Sequence, residues 1–370
     1  MRTAASAVIL LAGLTVAAAA QSFLKDAYKA DFVIGAALNA AQTTGQDARG
    51  DAIVEAQFNS ISPENCLKWE RVHPQPHRYD FSIPDQYVAF GEKNHMLVVG
   101  HTLVWHNQTP DWVFRDGKGK LLGRKALLKR LRNHIYTVVG HYKGKIKSWD
   151  VVNEALNEDG SLRQTPWLKI IGESYIAKAF RYAHEADPSA ELTYNDYNIE
   201  NEAKRTGALA LIRKLKLEGV PIATVGIQGH YTLDSPDLKF LDEAIGAYGR
   251  LGVKVAITEL DVDVLPRNNL PVTADITVNL AQDPALNPYV NGLPDAVQRQ
   301  LAERYAAIFE ICLKHRGEVN RVTLWGVTDA DSWHNGWPIR GRTAYSLLFD
   351  RAGKPKPAYD AIIQAAADVR

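Results

Sequence analysis

Two glutamates in this 370-residue chain stand in matching surroundings. Glu154 closes SWDVVNE behind the apolar run Ile146–Val152, with Asn153 just before it and Asp150 further back. Glu259 follows Lys254–Thr258 in VAITELDV, with Asp261 two residues on. Taken singly, either would read as a structural ion-pair partner. Two strand-end carboxyl groups together are what cleavage of an acetal needs. One protonates the leaving oxygen, the other attacks or stabilises the anomeric carbon, and their separation decides between retention and inversion.

Histidines and aromatics surround the pair. His101, Trp105 and His106 come from HTLVWH, and His230 follows Gln228. Each histidine fits a buried, hydrogen-bonded role. Metal ligation is the sharper alternative, since His and carboxylates at a barrel mouth can hold zinc. A barrel metallohydrolase would place a His pair at the first strand, which here reads FVIGAALNA, so neither metal nor cofactor is expected. Trp69, Trp105, Tyr197, Tyr231, Trp325, Trp333 and Trp337 fall at predicted strand ends. Trp325 lies inside the last strand, where core packing competes with binding. Trp333 and Trp337, in the polar, turn-rich DSWHNGWP, fit packing against sugar faces.

These residues need a frame that gathers strand ends. From Asp31 onward, short runs rich in Val, Ile, Thr and Tyr alternate with segments of helical period, which implies parallel βα units. The predicted strands are Phe32–Asn39, Ala56–Ser60, Met96–Leu103, Ile146–Val152, Glu191–Asn195, Ala223–Gln228, Lys254–Thr258 and Arg321–Val327. Between them, Gly123–Tyr142 repeats apolar residues at Leu127, Leu131, Ile135 and Val138. Asp295–His315 does so at Val297, Leu301, Tyr305 and Phe309, so each presents one face for burial. Eight strand and helix pairs fit an α/β fold of the (β/α)8 TIM-barrel class in a single domain. A doubly wound open sheet is the alternative, and in both folds sites collect at the carboxyl ends of the strands.

Lys and Arg number 43 against 42 Asp and Glu, for a net charge of +1. No long-range field favours nucleic acid, an anionic membrane or an acidic substrate, so a neutral partner is expected. Residues 1–20, MRTAASAVILLAGLTVAAAA, carry one basic residue, an apolar stretch and terminal alanines, the pattern of a cleaved signal peptide. A mature, secreted barrel over residues 21–370, acting as a monomer, is the expectation. Cys66 and Cys312 both sit in apolar context and read as small buried residues, with a bridge between them as the alternative. The proline-rich stretch from about Val262 to Leu293 is long for a structureless loop, and such loops are usually functional. Decoration and substrate contact are equally open readings for it.

The blocks FNSISPENCLKWERVHPQPHRYDF, GHTLVWHNQTPDWV, SWDVVNEAL, TYNDYNIE, GIQGHY, ITELDV and TLWGVTDADSW resemble, in order and spacing, those of family 10 glycoside hydrolases. The resemblance runs from about Leu24 to Val369. It implies a (β/α)8 fold, retaining chemistry and endo-β-1,4-xylanase activity on xylan and xylo-oligosaccharides. It further implies Glu154 as acid/base, Glu259 as nucleophile, His230 and Asp261 as the pair tuning the nucleophile, and Asn153 on the 2-hydroxyl of the −1 sugar. Glu64, Asn65, Lys68, His101, Trp105, Gln108, Tyr197 and Gln228 resemble substrate-binding residues, with Trp325 and Trp333 walling the sugar. A −1 pocket closed by Trp333 and Lys68 would select against the extra hydroxymethyl of glucose. Cys66 departs from the apolar residue, often Met, that the family places there. HNGWPIRGRTAYSLLFD and the long stretch after Glu259 resemble a bacterial branch and would shape distal or aglycone subsites. A hydrolase for another β-glycan and a non-catalytic carbohydrate-binding barrel remain the alternatives.

Overall fold

The computed structural model describes residues 23–267 and 273–369. The expected signal peptide and residues 268–272 of the long loop lie outside them. Nine strand segments run β1 Val33–Leu38, β2 Ser60–Pro63, β3 Leu97–Val104, β4 Ser148–Asn153, β5 Glu191–Asp196, β6 Thr224–Ile227, β7 His230–Thr232, β8 Lys254–Asp263 and β9 Val319–Leu324. All pair in parallel in the order β6-β5-β4-β3-β2-β1-β9-β8, and β6 pairs with β8 to close the barrel. β7 continues β6 past Gly229, whose φ of +81° turns the chain before it rejoins β8.

The helices pack by the faces that the apolar spacing marks. The helix Arg124–His141 buries Leu127, Leu131, Ile135 and Val138 completely, and full burial of such side chains contributes about 1.5–3 kcal/mol apiece. Asp295–Lys314 buries Leu301, Tyr305 and Phe309, with Val297 partly covered. Cys312 on that helix is buried and Cys66 half-buried. Both are free thiols pushed up to about 12 by burial.

Three strands differ from their predicted spans by three residues or more at an end. Of the predicted second strand, Ala56–Ser60, the first two residues instead end the helix Ala48–Gln57, capped by Asp47 through the Gly50 N–H at 3.0 Å, and only Ser60 is in the sheet. The barrel segment starts at Ser60, in SISP, whose serines and proline hide a strand stabilised by neighbours on both sides. β8 runs five residues beyond the predicted Thr258, so Glu259, Asp261 and Asp263 are strand residues sharing one face. Carboxylates are poor strand formers; the charges of neighbouring His and Arg side chains compensate them here. β9 stops at Leu324, and Trp325 to Val327 leave the sheet as Gly326 takes φ +136°.

Candidate active site

Glu154 follows β4, and its φ of +56° is a left-handed backbone that a residue with a side chain adopts at a cost, typically where function fixes the geometry. Register shifts interrupt β3 between His101 and Val104, β4 between Asp150 and Val152, and β8 between Ile257 and Leu260. Such bulges re-aim side chains, and all three lie beside the carboxyl ends that carry the site.

A cavity of about 150 Å³ at the barrel mouth is lined by the glutamate pair with His101, Trp105, Gln108, Asn153, Gln228, His230, Trp325 and Trp333, by Glu64, Asn65 and Lys68 from the segment after β2, and by Ala274 and Ile276. The last two give the long stretch after Glu259 a wall of this cavity. Tyr197 does not line it. Its ring lies beneath the Lys204 ammonium at 3.6 Å and its hydroxyl accepts from Arg163 at 2.8 Å, which places it behind Glu154. Trp337 stacks on Trp333 at 4.2 Å and backs the wall that Trp333 forms.

The two carboxyl groups have opposite surroundings. Glu154 Oε2 accepts from the Trp105 indole at 2.8 Å, and Oε1 accepts from Gln228 and Asn153 at 3.1 Å each. Burial first, then the Asp196 carboxylate, lifts the Glu154 carboxyl to about 7 against those hydrogen bonds. Glu259 is equally buried, yet the His230 hydrogen bond, the charges of His101 and His230 and the Asn195 amide outweigh burial and hold it below its ordinary value. The parallel register explains the contact, since it sets His230 directly opposite Asp261. His230 Nε2 lies 3.1 Å from Glu259 Oε2 while Nδ1 lies 3.2 Å from Asp261 Oδ2. Burial works against charge on His230, but Asp261 and Glu259 reverse it and raise the imidazole to about 10. Asp261 also accepts from the Trp333 indole at 2.6 Å and faces His334 at 3.2 Å, which ties the nucleophile's partner to the cavity wall.

Several supporting residues escape sequence reasoning. Asn195 donates to Asn153 Oδ1 at 2.9 Å and to Glu259 Oε1 at 2.8 Å, while its own oxygen accepts from Thr258 at 2.6 Å. It bridges the two halves of the site, and a Cβ at Gly226 would collide with it. The polar strand end in TYNDYNIE was the available signal. Glu70 accepts from Gln108 at 3.1 Å, and His101 Nδ1 lies 2.9 Å from Asp150. The Trp167 indole donates to the Trp105 carbonyl at 2.9 Å, fixing the loop that aims Trp105 at Glu154. For Glu70, His334 and Arg163 the sequence carries no signal.

Lys68 is buried with Nζ 3.1 Å from Asn65 Oδ1 and 5.0 Å above the Trp105 ring. Burial pushes its ammonium down, against four surrounding carboxylates, while burial lifts Glu64. Hydrogen-bonding groups, the Lys68 and His230 cations and flat indole walls thus converge on two differently tuned carboxyl groups. This is the equipment of a two-carboxylate glycosidase on a (β/α)8 barrel.

The family model for glycosyl hydrolase family 10 matches residues 23–365, and the chain belongs to that family. It is 45% identical over 353 residues to endo-1,4-beta-xylanase A of Xylanibacter ruminicola, covering 95% of this chain and 96% of that one. It is 44% identical to a beta-1,4-xylanase of Dictyoglomus thermophilum, covering 92% and 90% of the two chains. Among solved structures, a GH10 endoxylanase retrieved from sugarcane soil metagenome superposes with a TM-score of 0.90 at 46% identity, covering 92% of this chain and 99% of that one. Xylanase 10B from Thermotoga petrophila RKU-1, in complex with xylobiose, superposes at 0.83 with 35% identity, covering 95% and 99%.

Proposed function

We propose that this chain is an endo-β-1,4-xylanase that cleaves internal bonds of xylan with retention, with Glu154 as acid/base and Glu259 as nucleophile. The observation that carries the reading is the opposite tuning of two carboxyl groups in one cavity, Glu154 raised to about 7 and Glu259 lowered. Near neutral pH, Glu154 holds a proton for the leaving oxygen while ionised Glu259 attacks the anomeric carbon. His230 and Asn195 hold the Glu259 carboxylate as that attack begins. Once the glycosyl-enzyme forms, the Glu259 charge is consumed. Because that charge is one of the influences raising Glu154, the Glu154 carboxylate left after protonating the leaving oxygen is then stable as the anion, and it takes a proton from the incoming water as that water attacks the anomeric carbon and Glu259 departs as carboxylate. Asn153 and Gln228 would meet the hydroxyls of the −1 sugar, Trp325 and Trp333 would wall its faces, and Glu64, Asn65, Lys68, His101, Trp105 and Gln108 would complete the binding surface, a reading supported by their all lining one cavity.

The signal-like composition of residues 1–20 supports export, with the barrel working as a monomer outside the cytoplasm. Near-zero net charge supports a neutral polysaccharide over nucleic acid or membrane. Among the described residues, no helix is long and apolar enough to cross a membrane. An NMR time course on a xylo-oligosaccharide tests the proposal. Internal cleavage with the β-anomer as first product is expected. A first product of α configuration would overturn the roles of the two glutamates, and cleavage of cello-oligosaccharides alone would overturn the substrate.

A further inference from the structure

Behind Glu154, away from the cavity, lies a buried ion pair that the two-carboxylate mechanism does not use. Asp196 ends β5, and both it and Lys204, from the helix Glu202–Leu217, are fully buried, with Nζ 3.0 Å from Asp196 Oδ1. Asp196 also accepts from the Tyr194 hydroxyl at 2.6 Å, from the Tyr197 N–H at 2.9 Å and from the Leu156 N–H at 3.4 Å. Burial lifts the Asp196 carboxyl and would discharge Lys204, yet four donors converge on the carboxyl group, the Lys204 ammonium among them. The pair is therefore held as carboxylate and ammonium.

The barrel register places that anion at Glu154. Asn153 pairs with Asn195, the Glu154 N–H donates to the Asn195 carbonyl at 2.9 Å, and Asp196 is the next residue. The Leu156 N–H that reaches Asp196 belongs to the segment leaving Glu154, so the carboxylate holds the chain two residues past the acid/base. We infer that Asp196, with Lys204 as its counterion, is a positioning residue that keeps the proton on Glu154 until the leaving oxygen takes it. This inference rests on Glu154 being the acid/base.

Other charged groups face Glu154 from every neighbouring element, and none duplicates this role. Glu259 on β8 raises the Glu154 carboxyl too, but its charge disappears midway through the reaction, whereas Asp196 keeps its charge throughout. Lys68, in the segment after β2, carries the opposite charge. Arg163 spends its Nε on the Glu154 carbonyl at 3.1 Å and its Nη2 on Tyr197, so it holds backbone rather than carboxylate. Trp105 and Gln228 hydrogen-bond the Glu154 carboxylate and lower it. Asp275 pairs with Arg163 at 3.8 Å, and His106 feels the charges of both. Glu158 meets Lys204 at 3.3 Å from a half-exposed position and steadies the ammonium.

The test is the pH dependence of kcat/KM for xylohexaose and for 2,4-dinitrophenyl xylobioside in two variants, Asp196→Asn and the double variant Asp196→Asn/Lys204→Met. The double variant leaves no buried charge unpaired, so it keeps the test alive if the single variant folds poorly. In both, the basic limb for xylohexaose moves about one pH unit toward acid, the size a neighbouring charge imposes on a carboxyl. Above neutral pH that limb shift reads as a loss of about tenfold for the natural bond. The dinitrophenyl substrate, whose leaving group needs no proton, loses little. Folded variants whose basic limb stays at the wild-type position would overturn the inference. Glu154→Ala, measured alongside, must spare the dinitrophenyl substrate; equal damage to both substrates would instead overturn the acid/base assignment itself.

Discussion

Replacing Asp261 by Asn removes one charge and almost no volume from the centre of the nucleophile's support. Asp261 is fully buried between His230, His334 and the Trp333 indole, and among the influences that favour charge on His230 it is the largest. The distance from the ordinary imidazole value of 6.5 to about 10 in the fold corresponds to about 5 kcal/mol of preference for the charged ring. Glu259 supplies part of it, so the Asn variant is expected to lose about 2–3 kcal/mol. The direction with pH follows from the shift. A folded value above the unfolded one gives stability that is complete below about pH 6.5 and fades as pH rises through about 10. Urea unfolding of wild type and variant should therefore show a stability gap that is widest in mild acid and narrows steadily into the alkaline range. A gap independent of pH would refute a charged His230 bridging Asp261 and Glu259.

Glu259→Ala should abolish nearly all turnover and recover part of it with azide, yielding an inverted α-glycosyl azide by NMR; substantial unaided activity would sink the nucleophile assignment. Trp105→Phe removes the 2.8 Å donor to Glu154 Oε2. A hydrogen bond to a charged group contributes about 1.5–3 kcal/mol, so the basic limb should move upward by about one pH unit, and a shift toward acid would contradict the geometry. Gly100→Ala would drive its Cβ into the buried Trp149 ring. Overpacking of this kind costs about 1–3 kcal/mol in denaturant titration, and an unchanged midpoint would mean that the Trp149 side chain has room to move.

What could be read from the chain divides along a physical line. The eight-fold alternation, the buried faces of Arg124–His141 and Asp295–Lys314 and the gathering of the glutamate pair with His101, Trp105, Gln228 and Trp333 depend on local periodicity and on which strand end a residue occupies. These are properties of short segments. The second strand failed because its residues, SISP, are poor strand formers that become a strand only between β1 and β3. Lys204 gave no sequence signal, for a deeper reason. In EAKRTGALALIRKLKL it stands among lysines and arginines that read as a solvated face, and only the packing of that helix over β5 turns this one inward onto Asp196. Asn195, His334 and Arg163 are likewise defined by what register and loop packing bring to them, not by their sequence neighbours. The groups that do the bond chemistry sit at strand ends, where sequence position nearly determines location. The groups that set their charge arrive from elements far apart in the chain, and their contribution exists only once the barrel has closed.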